Sequence, residues 1–541
     1  MTTTLRKEAV KPEFDINMAT TEGNLYLGFD FSTQQIKAVI IDEALKVIAE
    51  EHVNFDQDLK EYRTSHGFHE GHNGKVTAPT IMWVKALDLI MERIRIQGVD
   101  LSRVAALSGA GQQHGSVYWR TGANAMLQQM RPDKFMHDEL AHAFSILDSP
   151  IWMDSSTSKQ CQDLEEALQG PNNLAKITGS RAYERFTGLQ IAKIAQEKSE
   201  AYSNTERISL VSSFAASLFL GQIAPIDTSD AGGMNLLDIN QLQWSPDCLQ
   251  ACAPDLTQLL GAPTSPTSLL GNTNFCFDAS RRGTALSHRA RSGAVPRHRP
   301  SPFQNDSKLF QSLLFLGNIS NYMIERFGFD GKCQVTAFTG DNPASLAGIR
   351  LCPGEICVSL GTSDTVMAYM PIGSEIEPQL VGHIWPNPVE SQAFMALLCY
   401  KNGSVTRERI RDAVAEGQWD LFNQLLNSTP RGNFGNIGLY YDYPEITPHN
   451  LHGNYRFNKD NEKVVKFASN EVEARALIEG QFMAKRLHIE KMGFKIQPST
   501  RIVVTGGASV NESIIQVLAD VFNAPVFTQV SILIANRNLL F

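Results

Sequence analysis

Apolar residues recur along this chain in two rhythms. Short runs bounded by Gly, Ser, Thr and Asp read as strands, and longer stretches with apolar positions three and four apart read as helices. Residues 25–29 form an apolar run, followed by Asp30-Phe31-Ser32-Thr33-Gln34-Gln35 and a second run over 36–41. The same order returns more than three hundred residues later: a run ending at Leu360, the turn Gly361-Thr362-Ser363-Asp364, and a third run over 365–370. Further strands are predicted at 104–107, 116–119, 335–338, 392–399, 502–505 and 526–527. Helical spacing covers 80–95, 156–168, 318–327, 472–492 and 511–522. The stretch 208–226 is the most apolar long segment, but its Ser, Gly, Gln and Pro residues predict a buried helix rather than a membrane span.

Two copies of one strand–turn–strand unit point to a duplicated fold that holds a nucleotide between two lobes. Ser/Thr/Gly turns at strand ends offer N–H and hydroxyl donors suited to phosphate. Asp30 closes the first strand, where a carboxylate facing phosphates typically holds Mg²⁺ through water. The run at 335–338 leads to Gly340-Asp341-Asn342-Pro343 and a small-residue helix. Asp341 is therefore either a helix cap or a reactive carboxylate beside the phosphate turn. Gly506-Gly507 lies at a strand-to-helix turn, where missing side chains let backbone approach a flat ligand.

With 541 residues the chain is expected to form two or more domains. A hydrophobic content of 43% and a charged content of 19% are ordinary for a globular protein. The net charge of −9 argues against nucleic acid or an anionic membrane as main partner. Eight cysteines without Cys-x-x-Cys spacing, and a polar stretch at 1–24 in place of a signal peptide, predict a cytoplasmic protein with reduced thiols and a flexible lead. Residues 275–315 break the pattern: six arginines lie between Arg281 and Arg299, with no acid before Gln304, and an unstructured insert is expected.

Three further motifs carry candidate chemistry. His66, His69 and His72 are interleaved with Gly67, Gly71 and Gly74, which predicts a solvated or substrate-facing loop rather than an ordered metal face. Ser108-Gly109-Ala110-Gly111-Gln112-Gln113-His114-Gly115 has its third glycine one residue late for a dinucleotide fingerprint and is followed by a strand. It reads instead as a polar loop able to bond hydroxyls. Arg181 and Arg185 are helix-spaced and are expected on a solvated face.

Taken together, the stretches around Asp30, Ser108–Gly115, Gly179–Gly188, Phe338–Gly348, Val358–Asp364, Leu397–Ser404 and Thr505–Ser509 resemble the FGGY carbohydrate kinase family, in the family's order over roughly 25–270 and 316–527. The resemblance implies an α/β, two-lobed ribonuclease-H-like/actin-like ATPase fold with a central cleft. A sugar-binding lobe would span 25–352 and a nucleotide-binding lobe 353–541. It implies ATP-dependent phosphorylation of D-xylulose at the 5-hydroxyl, with Mg²⁺, in a monomer or homodimer. Asp341 matches the catalytic base, and Asn342, His114 and Arg185 match sugar-binding positions. Asp30 (Mg²⁺, water-mediated) with Ser32, Thr33 and Gln34 matches the first phosphate loop, and Gly361, Thr362 and Ser363 the second. Gly506, Gly507, Asn511 and Trp419 match the adenosine site. Residues 528–541 depart from the family pattern, so the nucleotide lobe is expected to be altered after 527. Two other readings stay open: an inactive sugar- or nucleotide-binding relative, and a kinase of another sugar or polyol.

Overall fold

A computed structural model describes residues 23–265, 287–288, 315–378, 380–448 and 450–528. Most of the expected lead, of the arginine-rich insert and of the end expected to be altered lies outside these residues. Within the insert, Ser287–His288 is a short strand.

The first sheet is built from β1 (Leu25–Phe31), β2 (Gln35–Asp42) and β3 (Val47–Asn54), followed by helix α1 (Thr80–Ile96) and β4 (Val104–Gly111). After helix α2 (Val211–Leu220) come β5 (Phe315–Asn318), β6 (Gln334–Thr336), β7 (Thr339–Gly340) and helix α3 (Asp341–Ile349). The second sheet takes β8 (Ile356–Leu360), β9 (Asp364–Met370), β10 (His383–Pro386) and β11 (Phe394–Tyr400). Then follow helices α4 (Ser404–Val414), α5 (Trp419–Ser428) and α6 (Asn470–Lys491), strand β12 (Ile502–Thr505), helix α7 (Glu512–Phe522) and strand β13 (Val526–Thr528).

The two sheets repeat one topology. In the first the order is β5-β6-β4-β1-β2-β3, with β7 also on β4. In the second it is β13-β12-β8-β9-β11-β10, with Ser287–His288 beyond β13. Each begins with an antiparallel hairpin, β1–β2 or β8–β9. Each then sets a later strand parallel to the first, β4 on β1 and β12 on β8. The expected duplication is thus present strand by strand.

Strand alternation explains how the halves join. On β8, β9, β11 and β12, residues Ile356, Val358, Val366, Ala368, Ala396, Leu398, Ile502 and Val504 pack into a core with α6 and α7. Their neighbours Cys357, Met367, Tyr369, Met395, Leu397 and Val503 point the other way. They pack against residues from the first half, among them Phe186, Leu189, Met234 and Leu346. Successive side chains leave opposite faces of a strand, so a sheet apolar at every position must be covered twice.

Two sequence expectations change. The apolar stretch 208–226 splits into the end of a strand (Thr205–Leu210) and the fully buried α2. Residues 179–186 are not helical, and Arg181 and Arg185 are only partly exposed. Arg181 pairs with Glu165 at 3.1 Å, and Arg185 lies over the Tyr183 and Phe186 rings. Their spacing mimics a helical turn, but tertiary partners decide the backbone here.

Gly480, midway along α6, shows how tight the second core is. A Cβ there would lie 1.9 Å from the Gly438 carbonyl oxygen. Helix propensity alone favours Gly480→Ala by about 1 kcal/mol. The clash reverses that sign, and a net loss of about 1–3 kcal/mol, read as a lower thermal midpoint, is expected.

Candidate active site

Parallel pairing brings the candidate residues to one edge of each sheet. Asp30 is opposite Ala110, and Gly340 opposite Gly111, so β1, β4 and β7 end together. The chain leaves these ends as the Ser32–Gln34 turn, the Gln112–His114 loop and the start of α3 at Asp341. In the second sheet Ser359 is opposite Thr505, which sets Gly361 and Gly506 side by side beyond the strand ends. In open α/β sheets this carboxyl edge is where ligands bind.

Four carboxyl groups crowd the first edge. Asp341 begins α3, and its Oδ1 accepts the Asn342 backbone N–H at 2.9 Å and the Asn342 side-chain amide at 3.1 Å. Asp341 is half-buried, yet burial and then the charge of Asp30 raise its carboxyl from an ordinary 3.8 to about 7. Burial also raises Asp30, against the opposing pull of the Ser32 hydroxyl at 2.5 Å and of Lys37. Its other oxygen, Oδ1, is buried with no hydrogen-bond partner among the described residues. An orphaned carboxylate oxygen fits a hydrated divalent cation, whose other ligands would be phosphate and water. Behind Asp341, burial pushes Asp227 up to about 6, and Asp230 rises well above its usual range, with Asp227 and Asp341 adding repulsion.

Gln113 joins these acids. Its Oε1 accepts from Asn342 Nδ2 at 2.8 Å, its Nε2 donates to Asp230 at 3.4 Å, and its backbone N–H bonds the Asp341 carboxylate. Next to it, His114 adopts a left-handed φ of 68° and stacks on Phe186 at 4.5 Å. Its Nδ1 bonds the Gly233 carbonyl at 2.8 Å, so Nδ1 carries the proton and Nε2 is an acceptor. Burial and the Arg185 charge hold its pKa down to about 3. A neutral acceptor and a guanidinium donor therefore share this wall, a pairing suited to hydroxyl groups. Burial raises the Cys399 thiol, which the Arg185 charge pulls down and the Asp341 charge pushes up, so both charges lie within electrostatic reach of it.

The first turn is braced from outside. Thr33 Oγ1 donates to Gln112 at 3.4 Å and accepts from the Trp152 indole at 2.9 Å. The histidine-rich loop folds onto it so closely that a Cβ on Gly67 would lie 2.1 Å from the Thr33 carbonyl oxygen. Gln34 is exposed at the tip.

The second turn is anchored from below. Asp364, fully buried, accepts from Arg407 at 2.8 and 3.0 Å and pairs with Lys485 at 3.0 Å. Arg407 also reaches the Gly361 carbonyl at 3.3 Å. The two cations outweigh burial and keep Asp364 below its usual carboxylate range. Beyond the turn opens a cavity of about 820 Å³ lined by Gly361, Thr362, Trp419, Asn423, Gly507 and Asn511, among others. A Cβ on Gly506 would meet the Leu360 carbonyl at 2.4 Å, whereas one on Gly507 would meet nothing within 4 Å. The first glycine is required by the fold, and the second leaves its surface to a ligand. Asn511 caps α7 through Ile514 and bonds Asn423 at 2.9 Å. Ser363 is exposed beside Thr362 and does not line the cavity.

Asp30, His114, Arg185, Asp341 and Asn342 thus gather at one edge, and the glycines, Trp419 and Asn511 at the other. Sequence reasoning placed Gln113 in a hydroxyl-bonding loop without its role as a hub, and did not single out Asp230, Arg407, Lys485 or His383 as site residues. Their partners are distant in the chain, and no local spacing marks them.

Comparison with known proteins adds family context. The FGGY family of carbohydrate kinases matches through its N-terminal domain at residues 133–274 and its C-terminal domain at 356–530. Xylulose kinase from Rattus norvegicus is 51% identical over 503 residues, covering 93% of this chain and 84% of the relative. Xylulose kinase 2 from Arabidopsis thaliana is 43% identical over 518 residues, with the same coverage of 93% and 84%. Among solved structures, a xylulose kinase from Brucella ovis superimposes with a TM-score of 0.70 at 17% identity, covering 96% of this chain and 89% of that one. A gluconate kinase from Lactobacillus acidophilus gives 0.68 at 17% identity, with coverage of 96% and 88%. At such identities these structures show the shared two-lobed, actin-like fold.

The raised Asp341 carboxyl has a stability signature. Its charged form is disfavoured in the folded state, so the stability present at low pH is lost as pH climbs from about 4 through about 7. Asp341→Asn removes that loss. The variant is expected to melt higher than the parent by on the order of a few degrees at pH 8. The gap should close towards pH 4, and a gap independent of pH would contradict the assignment.

Proposed function

The chain belongs to the FGGY family of carbohydrate kinases, and from that premise we propose that it transfers the γ-phosphoryl group of ATP to the 5-hydroxyl of D-xylulose, giving D-xylulose 5-phosphate and ADP. The observation that carries the choice of sugar is the 51% identity to the rat xylulose kinase across 93% of the chain.

The residues divide the work by lobe, with 25–352 holding the sugar and the lobe from 353 holding the nucleotide. His114 Nε2 accepts from a sugar hydroxyl, Arg185 donates to another oxygen, and Asn342 orients the reacting end. Asp341 takes the proton of the 5-hydroxyl as that oxygen attacks phosphorus. A base near 7 suits this task, because it is partly deprotonated at neutral pH and still basic enough to pull. Asp30 is the residue to hold Mg²⁺ through water, and the ion supplies positive charge to the phosphoryl oxygens. The Ser32–Gln34 and Gly361–Ser363 turns donate to the phosphates, while Gly506, Gly507, Asn511 and Trp419 receive the adenosine. Little bond-making falls to the protein itself, so positioning and electrostatics carry most of the rate.

An ADP-release assay with D-xylulose tests this reading, with ribulose, glycerol and gluconate as alternative acceptors. Turnover is expected on D-xylulose and to fall, at most tenfold per unit, as pH drops below about 7 and Asp341 is protonated. Asp341→Asn should lose about 10²–10⁴-fold in kcat while D-xylulose and ATP still raise the thermal midpoint. Near-normal turnover in that variant would remove Asp341 from its role, and preference for another acceptor would replace the sugar.

A further inference from the structure

Arg185, which the proposed function assigns to the sugar, is held by a residue of the other sheet. Its Nη2 lies 3.0 Å from Nε2 of His383, on the edge strand β10. A guanidinium has no acceptor, so His383 Nε2 must accept and Nδ1 must carry the proton. Nδ1 then donates to Ser180 Oγ at 2.9 Å, which fixes the tautomer. The ring is stacked on Trp385 at 5.0 Å and 11°, is 2% exposed, and meets Tyr183 edge-on at 4.9 Å. Rotation is blocked on every side.

Backbone contacts lock strand and loop together. Ile384 N–H bonds the Gly179 carbonyl at 2.9 Å, and a Cβ on Gly179 would fall 1.7 Å from the Ile384 oxygen. The seat therefore accepts only glycine and sets the height of the whole 179–186 loop against β10.

We propose that His383 is the positioning residue for Arg185, so that recognition of the acceptor sugar in the first lobe is set by an edge strand of the second sheet. The chemistry explains the residue type. A carboxylate here would bind the guanidinium through two N–H groups and neutralise it. A neutral imidazole takes one N–H and leaves the cation and its remaining donors for substrate. Burial and the Arg185 charge keep His383 well below its usual pKa, so it remains an acceptor throughout the working range of pH. An unheld arginine would spend binding energy on freezing its long side chain whenever sugar binds.

The inference rests on the sugar reading above, and the test separates the two. His383→Phe keeps a ring on Trp385 but removes the acceptor, while His383→Gln restores an acceptor near the position of Nε2. Full-length parent and variants are compared by steady-state kinetics and by thermal shift with D-xylulose and with ADP. His383→Phe is expected to raise KM for D-xylulose about tenfold or more, leave KM for ATP within about twofold, and lose the thermal shift with sugar but not with ADP. His383→Gln should recover most of the sugar affinity. An unchanged sugar KM in His383→Phe would overturn the proposal, as would an equal rise in both KM values that His383→Gln does not reverse. A parent that ignores D-xylulose would sink the sugar reading instead. The same variants are then scored by thermal shift with ribulose, glycerol and gluconate. Loss of the parent's shift in His383→Phe supports the positioning role, and its retention, or a parent that no acceptor stabilises, overturns it.

Discussion

Everything chemical in this fold depends on two parallel strand contacts, β4 on β1 and β12 on β8. A parallel pair ends both of its strands at the same edge, and a strand end is where backbone N–H groups leave the ladder and face outward. The first contact delivers Asp30, the Gln112–His114 loop and, through β7, Asp341 to one place. The second delivers the Gly361 turn and Gly506 to another. A hairpin alone would have supplied a turn without a companion strand to bring the second set of groups beside it.

Crowding acids at such an edge has a cost, which the fold offsets locally. Asp341 gains the Gln113 and Asn342 donors, Asp230 gains Ser212 at 2.6 Å, and Asp227 gains Thr339 and two backbone N–H groups. None of these donors is a cation, so the carboxyl groups stay raised. Asp364 is treated in the opposite way. Arg407 and Lys485 both pair with it, and it is held ionised as a strut under the second turn. One carboxylate is left poised for a proton and the other is locked without one. Neutral donors in one case and cations in the other account for the difference.

How much of this was legible in the sequence follows from how local each signal is. The hairpins, the long α6 and the Gly506-Gly507 turn were readable because period, turn residues and strand length lie within one window. The duplication was readable because the same window occurs twice. Arg181 and Arg185 misled, since a spacing of four is what a helix gives, and nothing nearby in sequence announces Glu165 or His383. Gln113 sat in view within a polar loop, but its function as a hub needs Asp230 and Asn342, both more than a hundred residues away. Arg407 and Lys485 fall in no motif that the sequence marks. Only burial on the inner face turns them into supports for the Gly361 turn.

Packing between the halves couples the two edges. Because the second sheet is apolar on both faces, one face must remain covered by residues of the first half, and that cover includes Phe186, next to Arg185. The sheet that carries the second turn therefore cannot shift without disturbing the loop that carries the guanidinium. The bond between Ile384 and Gly179 makes this coupling directional, since it ties strand β10 to the loop in register rather than through adaptable side chains. His114 stacks on Phe186 from the first half while Ile384 bonds Gly179 from the second, so the loop bearing Arg185 is held from both sides. Packing of this kind is discrete rather than continuously deformable, and Leu346 and Ile349 of α3, buried in the same core, extend the cover of the second sheet to the helix that Asp341 begins.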